Sequence, residues 1–217
     1  MSGNESMIHI DVEEELQKII QQLNRLSDQI AAPNILRNAL NSTARKVRKQ
    51  MVMDVKGEYA IKNTKALRDT AQGGPKVLTA SSGSLSAAIR SRGPMQDMMS
   101  FMTQANRGTS AAEVQVMASG SMKPLEVDGL KAFVTRFASG HTAIVQRHPP
   151  ATFSTGQASR AGKYGAHADM TKIKKLLSPA VPHMLGSEAV RTQAEQLTYE
   201  TLHAEIDKRI AKVLGRA

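Results

Sequence analysis

The sequence predicts an α+β fold, because helical patterns occupy its two ends and strand patterns lie between them. Residues 33–61 and 187–216 each carry apolar side chains at spacings of three and four, which places those side chains along one side of a helix. Between them, short apolar runs flank glycine-containing turns, as in antiparallel hairpins. With 217 residues, the chain fits a single domain that can bury a sizeable core.

The helix predicted over residues 33–61 combines an apolar stripe with a basic face. Pro33 suits the first turn, where its missing N–H needs no partner, and Gly57 marks a weakening or an end. The stripe consists of Leu36, Leu40, Ala44, Val47, Met51 and Val55, and the opposite face carries Arg37, Arg45, Arg48, Lys49 and Lys56. We expect the stripe to pack, and we take Arg45, Arg48, Lys49 and Lys56 as interface candidates.

An earlier helix is predicted over residues 11–30. Asp11 suits the N-cap, and the glutamates at 13 to 15 lie in the first turn, where the helix dipole favours negative charge. The apolar residues that follow are spaced for contact with a neighbouring helix: Leu16, Ile19, Leu23, Leu26 and Ile30. We therefore expect residues 1–62 to form a helical hairpin, with residues 7–10 as a small edge strand before it.

Residues 76–147 are predicted to form an antiparallel sheet region, after a short helix at 64–70 and a break at residues 72–75. Residues 77–80 and 85–90 flank a Ser-Gly turn, and residues 133–137 and 143–147 flank Gly140. Residues 98–101 and 113–117 are further strand candidates. In the second hairpin we expect side chains to alternate between the two faces. One face would carry Phe133, Thr135 and Phe137, and the returning strand would alternate through Ala143, Val145 and Arg147.

Three ordered stretches carry a family resemblance. The first includes Ala39-Leu40-Asn41, Val47-Arg48-Lys49 and Tyr59-Ala60-Ile61-Lys62; the second includes Met122-Lys123-Pro124-Leu125 and residues 131–147; the third covers residues 173–186, from Ile173-Lys174-Lys175 to Gly186. Together they resemble the minor tail protein Z (tail-completion) family of tailed phages and prophages. The resemblance covers most of the chain.

The resemblance implies one tail-completion domain over residues 1–217, with helices packed on an antiparallel sheet. It implies a closed homo-oligomeric ring, expected to be a hexamer, at the head-proximal end of the tail tube. Its partners would be further copies of itself, the tail tube and neck or connector proteins, with genomic DNA passing through the channel without sequence-specific binding. The expected location is the virion, after assembly in the host cytoplasm, and neither enzymatic activity nor a cofactor is expected.

Residues 148–172 form a polar stretch longer than we expect for the family, and we interpret it as an inserted loop. Within it, Arg160, Lys163 and Tyr164 are interface candidates, because interfaces favour arginine and tyrosine. Lys174 and Lys175 could meet phosphate or an acidic neighbour, or could equally be a solvated strand end. The C-terminal helix is expected over residues 187–216, with Ser187 as its N-cap and Gly215 closing it.

The net charge of +10 is unevenly distributed. The first 32 residues carry a net −4, whereas residues 33–76 and 77–186 each carry +7. Such asymmetry indicates a polyanionic partner or an acidic protein neighbour. The alternative to a ring subunit is therefore a basic nucleic-acid-binding protein that uses the face of residues 34–56, although the sequence has no aromatic platform for single strands and no helix-turn-helix signal.

Other functional motifs are missing from the sequence. Cysteine is absent, so disulfides and thiolate metal sites are excluded. Six histidines include no His-Glu-x-x-His pattern, and His167 with Asp169 lacks a third ligand at a telling spacing. No Gly-x-Ser-x-Gly motif occurs, so we predict neither a catalytic nor a metal site. No apolar run approaches a membrane span and the first residues do not resemble a signal peptide, so we expect a soluble chain that has no membrane partner.

Overall fold

The computed structural model describes residues 4–8, 21, 32–62, 64–104, 111–127, 129–137, 139–147 and 173–213. These residues form an α+β structure of helices and small antiparallel sheets, as predicted. The chain divides into two compact units: Met1–Gly57 with Thr64–Met95 and Pro179–Ala217, and Glu58–Asn63 with Gln96–Ser178. The expectation of one domain stays a prediction, since compact units of this kind occur within domains as well as between them.

The first unit contains the four helices for which the structure gives bounds, apart from Glu58, the last residue of the first of them, which belongs to the second unit. We label them α1 (Ala32–Glu58), α2 (Lys65–Arg68), α3 (Val181–Leu185) and α4 (Glu188–Val213). Helix α1 confirms the predicted long helix: all six residues of its apolar stripe are buried, and it ends one residue after Gly57. The predicted first helix, and with it the helical hairpin, lies outside the described residues apart from Gln21, which is helical.

Helix α4 is the described partner of the N-terminal half of α1. Apolar residues from the two helices and from the loop at residues 80–87 form one buried cluster: Leu36, Ala39, Leu40, Ala80, Leu202 and Ile206, with Leu85, Ala87 and Ile210 against it. The Arg209 guanidinium donates to Ser42 Oγ at 2.7 Å, and Lys46 Nζ lies 2.6 Å from Glu205 Oε1. Because the position on α4 falls as the position on α1 rises, the two helices run antiparallel.

Glu205 is the buried acid of this helix pair. It accepts a hydrogen bond from Lys46 and a second at 3.1 Å from Arg209. The pKa of Glu205 is lowered, mainly by the hydrogen bond from Lys46. Burial of the carboxylate acts in the opposite direction, and the charges of Lys46, Arg209 and Lys208 lower the pKa further. The carboxylate is therefore held in its charged form and joins helices that are remote in sequence.

A three-stranded sheet completes the first unit. Strand β1 (Asn4–Ile8) lies at its edge and pairs antiparallel with β3 (Ala88–Gly93), which also pairs with β2 (Lys76–Leu78). The predicted edge strand at residues 7–10 is thus found three residues earlier, and its last two residues lie outside the described part. The predicted hairpin from β2 to β3 is confirmed, with a bridge between Ser81 and Ser84 at its turn.

Strands dominate the second unit. They are β5 (Met102–Gln104), β6 (Glu113–Gln115), β7 (Lys123–Pro124), β8 (Glu126–Val127), β9 (Leu130–Lys131), β10 (Phe133–Arg136), β11 (Thr142–Arg147) and β12 (Ile173–Lys175). Their antiparallel order is β5-β6-β7, β8-β9 and β10-β11-β12. Two further strands, β4 (Met95–Asp97) and β13 (Leu177–Ala180), have residues in both units.

The predicted hairpin around Gly140 is present, and burial in β11 does not alternate along the strand. Residues 143–146 are all buried, so both faces of β11, the central strand between β10 and β12, are covered. Ile144 packs in a cluster with Ala112 and Ala132. Gln146, which is also buried, donates its amide to Leu130 O at 2.7 Å, so its polar group is satisfied.

One strand prediction is wrong, and one N-cap prediction is confirmed in its position but not in its side-chain hydrogen bond. Residues 98–100 form a 3₁₀ turn in place of a strand, because the Asp97 carboxylate accepts the N–H of Met99 at 3.0 Å and caps the turn. Ser187 directly precedes α4, but its hydroxyl makes no hydrogen bond within the described part of the chain. Its backbone forms the junction instead: the N–H bonds Met184 O at 3.3 Å, and the carbonyl accepts from Arg191 at 2.9 Å.

Candidate docking pocket on the basic face of helix α1

A pocket of about 770 Å³ opens in the first unit, between the C-terminal half of α1 and the segment that leads into α2. Helix α1 contributes the residues at positions 48, 52 and 56 and the residue after each of them. These positions lie on one face, because residues four apart in a helix are neighbours on its surface. The segment before and within α2 provides the other wall. We call this the basic pocket, and it is lined by Arg48, Lys49, Val52, Met53, Lys56, Gly57, Thr64 and Arg68.

The basic pocket is strongly positive. Four of its eight lining residues are cations, and none is acidic. Arg48 is half-buried, and its Nε–H donates to Pro75 O at 2.7 Å, so the position of this guanidinium is fixed. Lys49, Lys56 and Arg68 are exposed, and no carboxylate of the described residues forms an ion pair with them. Their charge is therefore available to an anionic partner.

The same pocket also presents apolar surface. Val52 is half-buried, and Met53 leaves 56% of its surface exposed. A methionine on the surface adapts its shape to a partner, which is why such residues are common at binding surfaces. Lysine and arginine add the apolar stems of their side chains to this wall. The pocket can thus accept a group that is both acidic and apolar.

Three of the interface candidates from the sequence meet in this pocket. Arg48, Lys49 and Lys56 line it, whereas Arg45 is exposed on α1 outside the lining. Sequence reasoning missed Arg68. The available signal was its position within the short helix predicted at residues 64–70, since a helix that closely follows a break can fold back beside the preceding one.

The other candidates do not join the basic pocket. Lys175 Nζ lies 2.7 Å from Asp97 Oδ2 and 3.2 Å from His141 Nε2, so its ammonium already has partners within the second unit. Lys174 is exposed on β12, opposite Gln146 in the strand register. The three candidates of the inserted loop, Arg160, Lys163 and Tyr164, lie outside the described residues.

No group of three or more His, Cys, Asp or Glu side chains in the described part is placed to hold a metal ion, and His167 with Asp169 lies outside that part. None of the helices in the described ranges is long and apolar enough to cross a membrane.

Comparison with known proteins found no match for this chain among family models, curated proteins or solved structures.

Proposed function

We propose that this chain is a subunit of the ring that completes the tail of a phage or prophage. The ring would cap the head-proximal end of the tail tube, help to join head and tail, and leave a channel for genomic DNA. Its partners would be further copies of itself, the tail tube and a neck or connector protein, and its location would be the virion. The three stretches that resemble the tail-completion family motivate this proposal.

The observation that carries the proposal is the mixed character of the basic pocket. Protein interfaces combine apolar contact at their centre with charges that fix orientation and exclude wrong partners. Val52 and Met53 offer the apolar contact, and four cations surround them. The exposed side of α1 thus has the properties of an assembly surface, while its opposite side is buried in the subunit.

The proposal includes an arrangement for the N-terminal part of the subunit. The apolar seam of residues 16–30 would pack beside α1 as the first helix of a helical hairpin. Helix α1 would then be the long basic second helix, held over the antiparallel strands of the subunit. The acidic first turn of the hairpin, at Glu13 to Glu15, would carry a charge opposite to that of the basic pocket.

A basic nucleic-acid-binding protein is the second candidate, and the four cations of the pocket favour it. Phosphate binding would make affinity fall with salt, with a slope of about 0.9 in logarithmic units for each phosphate contacted on duplex DNA. Phosphate contacts alone, however, would leave the apolar wall at Val52 and Met53 without a role. A protein segment uses both parts of the pocket.

The test measures the mass of the purified chain, alone and with tail tubes, and its affinity for duplex DNA over a range of salt. A tail-completion subunit forms one closed oligomer, expected to be a hexamer, in solution or on the tubes, and binds DNA weakly. A chain that stays monomeric in both settings and binds DNA with a steep salt dependence would overturn the ring proposal in favour of the second candidate.

The pocket variant K49E/K56E sharpens the comparison. Its charge-matched control is K76E/K212E, since Lys76 and Lys212 are exposed in the same unit but do not line the pocket. If the pocket served DNA binding, the pocket variant would lose affinity and show a flatter salt dependence than the control. For a ring subunit we expect equally weak DNA binding by both variants.

A further inference from the structure

We propose that the basic pocket binds the acidic N-terminal segment, residues 11–16, of a second copy of this chain. The inference rests on the proposed ring and names the contact between its subunits. Residues 11–16 read Asp-Val-Glu-Glu-Glu-Leu, with four carboxylates and two apolar side chains. The occupant of the pocket is therefore defined by chemistry that this chain itself carries.

Charge complementarity is the first step of the argument. Four of the six acidic residues among the first 32 lie at positions 11–15, and this part of the chain has a net charge of −4. The basic pocket has four cations and no acid in its lining. The most acidic stretch of the chain thus has the opposite charge to the lining of the pocket, which speeds encounter and fixes the register of a contact.

An apolar side chain of the segment provides the second step. Val12 lies between Asp11 and the three glutamates, before the seam that begins at Leu16. The matching face of α1 carries Val52 and Met53. Along α1, residues 49 and 56 are separated by a rise of about 10 Å, and the six residues of the segment, as a helix, rise by about 8 Å.

A second copy is the occupant that a ring requires. Identical subunits close a ring through a heterologous interface, in which one surface of each subunit meets a different surface of the next. A basic pocket and an acidic segment on the same chain are two such surfaces. Each subunit would offer its pocket to one neighbour and its segment to the other, and the cycle would close without a free end.

The experiment reverses two of the four charges on each surface separately. The pocket variant is K49E/K56E, the segment variant is E13K/E14K, and a third chain combines both changes. The control is K76E/K212E, which alters charge equally outside the pocket. Circular dichroism and a urea titration establish that each variant is folded. Oligomer mass is then followed against concentration by sedimentation or native mass spectrometry.

Mixing the two single variants separates contacts between copies from contacts within one chain. Each variant alone places like charges opposite one another at the altered positions and removes the net charge of one surface, so its self-association should weaken about tenfold to a hundredfold. In an equal mixture, the carboxylates that K49E/K56E adds to the pocket meet the ammonium groups that E13K/E14K adds to the segment, and the two unaltered surfaces also match. We expect the mixture and the combined variant to recover the wild-type mass, and the control to match the wild type throughout.

Several results would overturn the inference. Recovery by the combined variant without recovery by the mixture would assign the segment to the pocket of its own chain. Wild-type assembly by the pocket variant would assign the contact between subunits to another surface. Loss of assembly by the pocket variant, with the segment variant unaffected, would show that the pocket binds a surface other than the segment. A wild-type chain that remains monomeric in solution would also reject this contact.

None of these results by itself removes the proposed ring. Assembly that ignores the charge changes would leave a ring held by other surfaces. Assembly that occurs only on tail tubes would likewise keep the ring and reject the contact. The ring proposal fails only if the chain stays monomeric on the tubes as well.

Discussion

Replacement of Leu202 by alanine should strongly destabilise the first unit. Leu202 is 1% exposed and belongs to the cluster that joins α4 to α1. The loss of three carbon atoms costs about 2.4 kcal/mol of transfer free energy, at about 0.8 kcal/mol for each buried methylene. Ala39 and Ala80, which share the cluster, cannot extend to fill the space, so a cavity should remain. We therefore expect a loss of about 3 to 5 kcal/mol in the free energy of unfolding.

A urea titration followed by circular dichroism measures this loss. The matched control is Leu78→Ala, because Leu78 lies in the same unit but leaves 40% of its surface exposed. We expect the control to lose about 1 kcal/mol or less, since solvent already reaches its side chain. If Leu202→Ala loses no more than Leu78→Ala, the packing of α4 on α1 is wrong.

Two further predictions concern charge and backbone packing. The pKa of Glu205 lies below its ordinary value of 4.5, so the interactions that lower it stabilise the fold above that pH and are lost as the pH falls through the folded-state value. Glu205→Gln should thus lower the free energy of unfolding at neutral pH, and this free energy should fall less steeply with decreasing pH than in the wild type. A fall in acid identical to that of the wild type would assign the pH dependence to other groups. A Cβ added at Gly93 would lie 2.5 Å from Gly73 Cα, a backbone atom, so Gly93→Ala should cost about 1 to 3 kcal/mol. Gly83→Ala, which places its Cβ in open space, should change the free energy of unfolding by less than about 0.5 kcal/mol, and equal thermal melting of the two variants would contradict the close approach.

The sequence predicted the long elements because their patterns repeat many times. Helix α1 begins within one residue of the predicted start, and its buried stripe matches the predicted one. The hairpin between β10 and β11 was also predictable, since Gly140 has a φ of 83° in its turn, a conformation that glycine adopts readily. In both cases the local sequence and the tertiary structure favour the same conformation.

Tertiary contacts were less predictable. Periodicity shows that Leu36 faces a partner, but not that the partner is Leu202 near the other end of the chain. The strand pattern after Asp97 was overridden by one side-chain hydrogen bond, and the local pattern of β11 did not reveal that both of its faces are buried. Arg68 joined the basic pocket only because the chain turns back after α1.

The central claim is that the basic pocket contacts the acidic segment of a neighbouring copy. Zero-length cross-linking with a carbodiimide joins a lysine amine directly to a carboxylate that touches it. We would apply it to an assembled equal mixture of unlabelled and nitrogen-isotope-labelled chain, and identify the cross-linked peptides by mass spectrometry. We predict peptides of mixed isotope that link Lys49 or Lys56 to the segment of residues 11–15. Links from these lysines that occur only within one isotope, or only to other carboxylates, would contradict the claim.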